Sequence, residues 1–287
     1  MKATNIALLA VAAALVGCGQ PAKVSPPAPK PVALAAGTPV SLILLQKLDS
    51  GGTAVGTVVP LMVAEDVKAP DGTVLIRRGA PASGTVTLSR SAGALSALAN
   101  TPARLALRLE RTWGVDGSEI VLCAEIDDAD AAYAFTRDNT GKIGGEVDLE
   151  KVWSNDTAQP ILERLSQNLE EGKSLDLSDP EIRRTLQDVA RDLNLDSTSR
   201  LLQRGELERA DNLLAQVRQG GSAAALVNGA ALPTIGAAIE LANLAGRVGS
   251  RIGGVFKGRN IRAHVGTPVP ALVAEQASVR PQPVSAA

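Results

Sequence analysis

Few residues of this chain carry side chains suited to covalent or metal chemistry. The single histidine is His264, three residues before Thr267. A lone histidine needs a nucleophile and an orienting partner before it can act as a base. No Gly-x-Ser-x-Gly, His-Glu-x-x-His or phosphate-cradling glycine loop accompanies it. Two cysteines, Cys18 and Cys123, supply no disulfide framework and no zinc set. Cys123 lies between Glu119 and Glu125 with no base nearby to lower its pKa, so it reads as an inert thiol on a half-wet strand face. Asp127, Asp128, Asp130, Asp138 and Asn139 suggest calcium, but a loop with Gly141 at its sixth position would need acids where Thr136 and Val147 stand. The acids therefore read as a solvated loop, and no metal or cofactor is expected. Cys18 differs. It follows Leu15, Val16 and Gly17 at the end of the apolar run 6–16, which Met1 and Lys2 precede. A basic start, a short apolar run and a small residue before the cut make a secretory signal. The run is well below the ~20 residues of a spanning helix.

Leu15-Val16-Gly17-Cys18 closely resembles the lipobox of bacterial lipoprotein precursors. The resemblance implies removal of residues 1–17, cleavage between Gly17 and Cys18, and acylation of Cys18. One acyl chain holds a protein marginally and two hold it firmly. Gly19 stands where an aspartate would resemble an inner-membrane retention signal. The expected location is therefore the cell envelope, lipid-anchored at the outer membrane and facing the periplasm.

Residues 18–38 form the lipidated cysteine and a Pro/Ala linker. Beyond it, apolar runs and turn signals alternate. Residues 40–48 and 57–67 read as strands, and Pro60 marks the second as an edge or a bulge. Pro70-Asp71-Gly72 turns the chain into Thr73–Arg77, and Gly79-Ala80-Pro81 opens another strand. Leu105, Leu107 and Leu109 alternate with Arg104, Arg108 and Glu110, and Ile120 and Leu122 continue past the Asp116-Gly117 turn. Residues 127–157 are acidic and irregular. Helical periodicity covers 158–218, with Ser178 and Glu181 spaced as a capping box and Pro180 in the first turn. Residues 222–256 are rich in Ala and Gly and read as a hairpin. Gly246, Gly249 and Gly253 fall on one face of it, a surface for close approach to a helix or a membrane. Residues 276–287 are expected to be a disordered tail. Gly266-Thr267-Pro268-Val269 repeats Gly37-Thr38-Pro39-Val40, and Leu272-Val273-Ala274-Glu275 echoes Met62-Val63-Ala64-Glu65.

The expected fold is α+β: a small, mostly antiparallel β-barrel over residues 39–126 and 258–275, closed by a late C-terminal strand. Residues 127–257 form the inserted acidic loop, helices and hairpin. The turn-and-strand order from Gly37 to Gly117, with Gly266–Val269, resembles the C-terminal β-barrel domain of the outer-membrane core scaffold of type IV secretion systems. That likeness spans under half of the chain. It implies an assembly role and, for residues 222–256, the place of a membrane-reaching hairpin.

Lys plus Arg is 29, Asp plus Glu is 30, and aromatics make up 2%. Such balance does not suggest nucleic acid, which calls for a clustered basic face, and few rings are present for base or sugar stacking. The function expected is that of a non-catalytic, membrane-anchored envelope lipoprotein. Its barrel would serve assembly or interaction, with envelope proteins or further copies of itself as partners. The alternative is a carboxylate-based hydrolase or ligand-binding barrel acting on cell-wall or extracellular polymer. Two acids facing across a concave pocket would favour that alternative, and a filled barrel interior would favour the first.

Overall fold

The computed structural model describes residues 30–92, 102–128, 130–136, 149–153, 157–174, 177, 179–219, 232–254 and 260–281. Six strands close into an antiparallel barrel. They are β2 (Pro39–Leu44), β4 (Val58–Val63), β7 (Pro81–Arg90), β8 (Arg104–Trp113), β9 (Glu119–Cys123) and β12 (Pro268–Val273). Around the ring the order is β8-β7-β4-β2-β12-β9, and β9 pairs back onto β8. Short strands β1 (Val32–Leu34), β3 (Leu48–Asp49), β5 (Val67–Lys68), β6 (Val74–Ile76), β11 (Arg262–Ala263) and β13 (Ala277–Val279) pair at its ends, and β10 (Ala132–Phe135) adds outside on β8. The late strand and the α+β class match expectation.

The repeated tetrapeptide explains the closure. Gly37 and Gly266 both hold the left-handed conformation, φ +79° and +80°, which glycine adopts without steric cost. Pro39 and Pro268 then begin β2 and β12. The two strands pair with each other, and the bonds at the two ends match. Gly37 N–H donates to the Val273 carbonyl at 2.8 Å, as Gly266 N–H does to Leu44. Val273 N–H donates to Thr38, as Leu44 N–H does to Thr267. Identical turns therefore build a pseudo-twofold seam.

Inside, Leu42, Leu44, Val59, Leu61, Leu107, Leu109, Ile120, Leu122 and Val269 interlock as a buried aliphatic core. β2 and β4 are buried on both faces over their last three residues. Ile43, Leu45 and Met62 point away from the lumen into a second core made with the helices. This double burial is why residues 40–48 read as one apolar run.

The helical part holds, among the described residues, α1 (Glu150–Trp153), α2 (Ala158–Glu171), α3 (Pro180–Asp192), α4 (Asp196–Arg204), α5 (Glu208–Arg218) and α6 (Leu232–Gly254). α6 packs against α2, α4 and α5. Alanines 237, 238, 242 and 245 are wholly buried between leucines 241 and 244. Its Glu240 reaches the start of α4, accepting from the Ser197 and Thr198 N–H groups (3.1 and 2.8 Å) and from the Thr198 hydroxyl. A carboxylate at a helix N-terminus satisfies orphan donors and suits the dipole.

Several expectations need correction. The linker and tail do not extend through 38 and from 276, because Val32–Leu34 pairs with Ala277–Val279. Strand β10 lies within the stretch read as irregular, pairing Tyr133 with Leu107. The cap of α3 is Asp179, one residue past Ser178, accepting from Glu181 N–H at 2.8 Å. Residues 232–254 form one continuous helix buried in the helical core, and the first arm of the expected hairpin lies outside the described residues. Among the described residues no helix is long and apolar enough to cross a membrane.

A methyl group on Gly266 would lie 2.7 Å from the Ala242 carbonyl oxygen of α6, whereas one on Gly205, the left-handed cap of α4, would meet nothing within 4 Å. Gly266→Ala should therefore cost about 2–3 kcal/mol, clearly more than Gly205→Ala. Paired thermal melts check this, and equal losses would refute the close turn-to-helix contact.

Candidate functional site

Barrel and helices meet where β2 ends. Pro60 was expected on an edge or bulge, yet β4 runs between β2 and β7 inside the ring. The ladder tolerates it for a local reason. Leu45 N–H donates to the Pro60 carbonyl at 3.1 Å, and an ordinary residue at 60 would return a bond to the Leu45 carbonyl. Proline cannot. Arg218, at the end of α5, supplies the missing donor: its Nε bonds the Leu45 carbonyl at 2.9 Å. Its Nη2 donates to the Leu169 carbonyl in the last turn of α2 at 2.6 Å. A cation suits that helix end. Burial pushes the Arg218 guanidinium below its ordinary pKa, and the charge of Asp211 opposes the shift.

One residue on, Glu170 is held by the barrel from two sides. His264, in the turn between β11 and β12, places Nδ1 2.6 Å from Oε1. Lys47, after β2, places Nζ 3.1 Å from Oε2. The imidazole is 7% exposed and the carboxylate 13%. A carboxylate can only accept, so Nδ1 carries the shared proton. Burial pushes Glu170 up, but the hydrogen bond and charge of His264, then those of Lys47, outweigh it, leaving its pKa below the ordinary 4.5. Gly249 of α6 makes the room: a methyl group there would lie 2.5 Å from Glu170 Oε1 and 2.8 Å from His264 Nδ1. Ser166, on the same helix as Glu170, donates its hydroxyl to the Ala245 carbonyl at 2.9 Å, so its proton is not offered to the imidazole.

An open cleft of about 250 Å³ adjoins this junction, lined by Gln46, Pro60, Glu170, Glu171, Arg218 and Gln219, with Leu45, Gly172 and Ala215 completing the wall. Its two acids do not face each other as a free pair. Both Glu170 oxygens are engaged, and Glu171 bonds Lys173. The arrangement clamps the helices to the barrel.

No protein-family model matches the chain, and no curated protein does. Among solved structures, ComB10 of the Com type IV secretion system of Helicobacter pylori aligns at 20% identity and a TM-score of 0.23. The alignment covers 31% of this chain and 42% of that one. The chain thus spans less than half the length of that neighbour.

Of the residues singled out in the sequence, Gly17, Cys18, Asp138 and Asn139 lie outside the described residues. Gly246 and Gly249 are buried on α6, and Gly253 lies in its last turn. Gly249 faces the Glu170–His264 pair as well as a neighbouring helix. Cys123 is not half-wet. It is 1% exposed, with Sγ 3.7 Å from the Leu272 carbonyl, and burial pushes the thiol up. Asp127, Asp128 and Asp130 are exposed, and among the described residues no cluster of three metal-ligating side chains occurs. Arg218, Glu170 and Lys47 gave no signal in the sequence, because their partners are carbonyls or side chains far along the chain.

Two measurements test the clamp. Arg218→Met leaves two carbonyls without their charged donor and should cost roughly 2–4 kcal/mol in denaturant unfolding, whereas Pro60→Val in the Arg218→Met background should restore part of the loss by returning the Leu45 bond. Glu170 is depressed in the fold, so the unfolded chain binds its proton first as pH falls. Its stabilisation is full above about 4.5 and disappears as pH drops through the lower folded value. Glu170→Gln should flatten that acid limb of the stability profile, and an unchanged limb would contradict the assignment.

Proposed function

We propose that this chain is a non-catalytic envelope lipoprotein, anchored in the outer membrane through acylated Cys18, whose barrel is an assembly or interaction module facing the periplasm. A secretion- or surface-associated role is the finer reading. The observation that carries it is the filled barrel: aliphatic side chains from all six ring strands occupy the interior. A barrel so packed offers its outer surface and loops, and the helices already cover the outer ends of β2 and β4. The lipobox-like Leu15–Cys18 and the short apolar signal support the anchor. Envelope proteins or further copies of this chain are the partners this reading calls for, and nucleic acid is not among them.

Crosslinking in intact envelopes, followed by affinity recovery, tests the proposal. Wild-type chain should yield a discrete envelope partner that Cys18→Ser, expressed to the same folded level, loses at least tenfold. Equal recovery from both, or no specific adduct from wild type, would contradict it.

A further inference from the structure

The outer face of β7 and β8 carries positive charge that no acid among the described residues pairs. Arg90 and Arg104 stand directly opposite each other at the end of the ladder. Like charges so placed oppose pairing of the strands. Both are exposed, and so is Arg108, four residues along β8 and opposite Thr85. None of the three forms an ion pair among the described residues. Acids on the neighbouring strands have partners of their own, and the exposed Asp128 and Asp130 ahead of β10 form no ion pair with these arginines. Glu110 accepts from the Ser83 and Thr85 hydroxyls (3.2 and 2.6 Å), Glu119 pairs with Arg111, and Asp49 pairs with Arg262. On the β10 side Ala132 stands opposite Arg108. Among the described residues, three guanidinium groups without an ion pair thus share one sheet face with the Ser83 and Thr85 hydroxyls.

We propose that Arg90, Arg104 and Arg108 form a phosphate-recognising face that lays the barrel against an anionic lipid surface. The choice of lipid rests on the bilayer-anchored reading above: a domain tethered beside headgroups meets phosphate at high local concentration. Guanidinium forks bind phosphate oxygens in pairs, and each arginine near an anionic surface adds an increment of attraction. The acyl anchor and the arginine face would act as two linked contacts, the second fixing which side of the barrel meets the bilayer.

The test uses the chain from residue 18 onward carrying Cys18→Ser, so that neither acylation nor the apolar run 6–16 contributes to either arm. Its binding to vesicles of phosphatidylcholine with phosphatidylglycerol should exceed that to phosphatidylcholine alone and should fall with added salt. Each of Arg90→Ser, Arg104→Ser and Arg108→Ser should weaken it about fivefold. The melting temperature of Arg104→Ser should hold or rise, since a like-charge pair is relieved. Binding by the triple variant equal to that of the parent would overturn the proposal. So would a lower melting temperature for Arg104→Ser, which would assign the pair to the fold. Inorganic phosphate at matched ionic strength should not strip the protein from vesicles, and stripping would replace the lipid surface by a discrete phosphate site. Failure on vesicles leaves the anchor standing, because the anchor is read from Cys18 itself.

Discussion

The return of β12 to β2 is the constraint on which the rest of the structure depends. The first and last strands of the ring lie at opposite ends of the chain, and their pairing closes it. That seam is made by two copies of one turn, Gly-Thr-Pro-Val, whose glycines alone hold the required φ and whose prolines start each strand without an N–H to place. The described helices between β10 and β11 lie outside the barrel. They stack on the outer ends of β2 and β4, sharing Ile43, Leu45 and Met62 with them.

The junction is held by apolar packing and fixed in position by polar contacts. Pro60 removes one ladder bond, and Arg218 replaces it from another element while also closing the end of α2. Glu170 is then gripped by Lys47 and His264 from two separate barrel segments. Such contacts contribute modestly to net stability, but a buried donor or acceptor left unmatched is costly, so they select one docking geometry. Gly249 and Gly266 allow α6 to sit against this cluster and against the β11–β12 turn. The only histidine in the chain is thus used as a positioning contact.

Much of this fold was legible because its local rules agree. Alternating leucines marked β8, turn glycines marked the strand ends, and the repeated tetrapeptide pointed to the closing strand. The αL cap Gly205 stands between α4 and α5, as the spacing required. What was hidden depends on distant partners. β1 and β13 lie in Pro/Ala-rich and terminal sequence, and each becomes a strand only by meeting the other. β10 is four residues long and borrows its register from β8. Pro60 followed the edge rule until a side chain from α5 answered for its missing N–H. Glu170 and His264 lie 94 positions apart, so no local pattern could join them. The small-residue stripe on α6 was visible, but that Gly249 makes room for the Glu170–His264 hydrogen bond was not.

A filled barrel, clamped helices and an arginine-bearing outer face are the features on which the proposed interaction role rests. In the proposed reading, acylation of the Cys18 thiol is what would place those surfaces in the envelope. The most direct test is the mass of the N-terminal peptide of the protein extracted from envelopes. It should begin at Cys18 and carry diacylglyceryl and amide-linked acyl chains. A peptide beginning at Met1, or at Cys18 with a free thiol, would contradict the anchored reading.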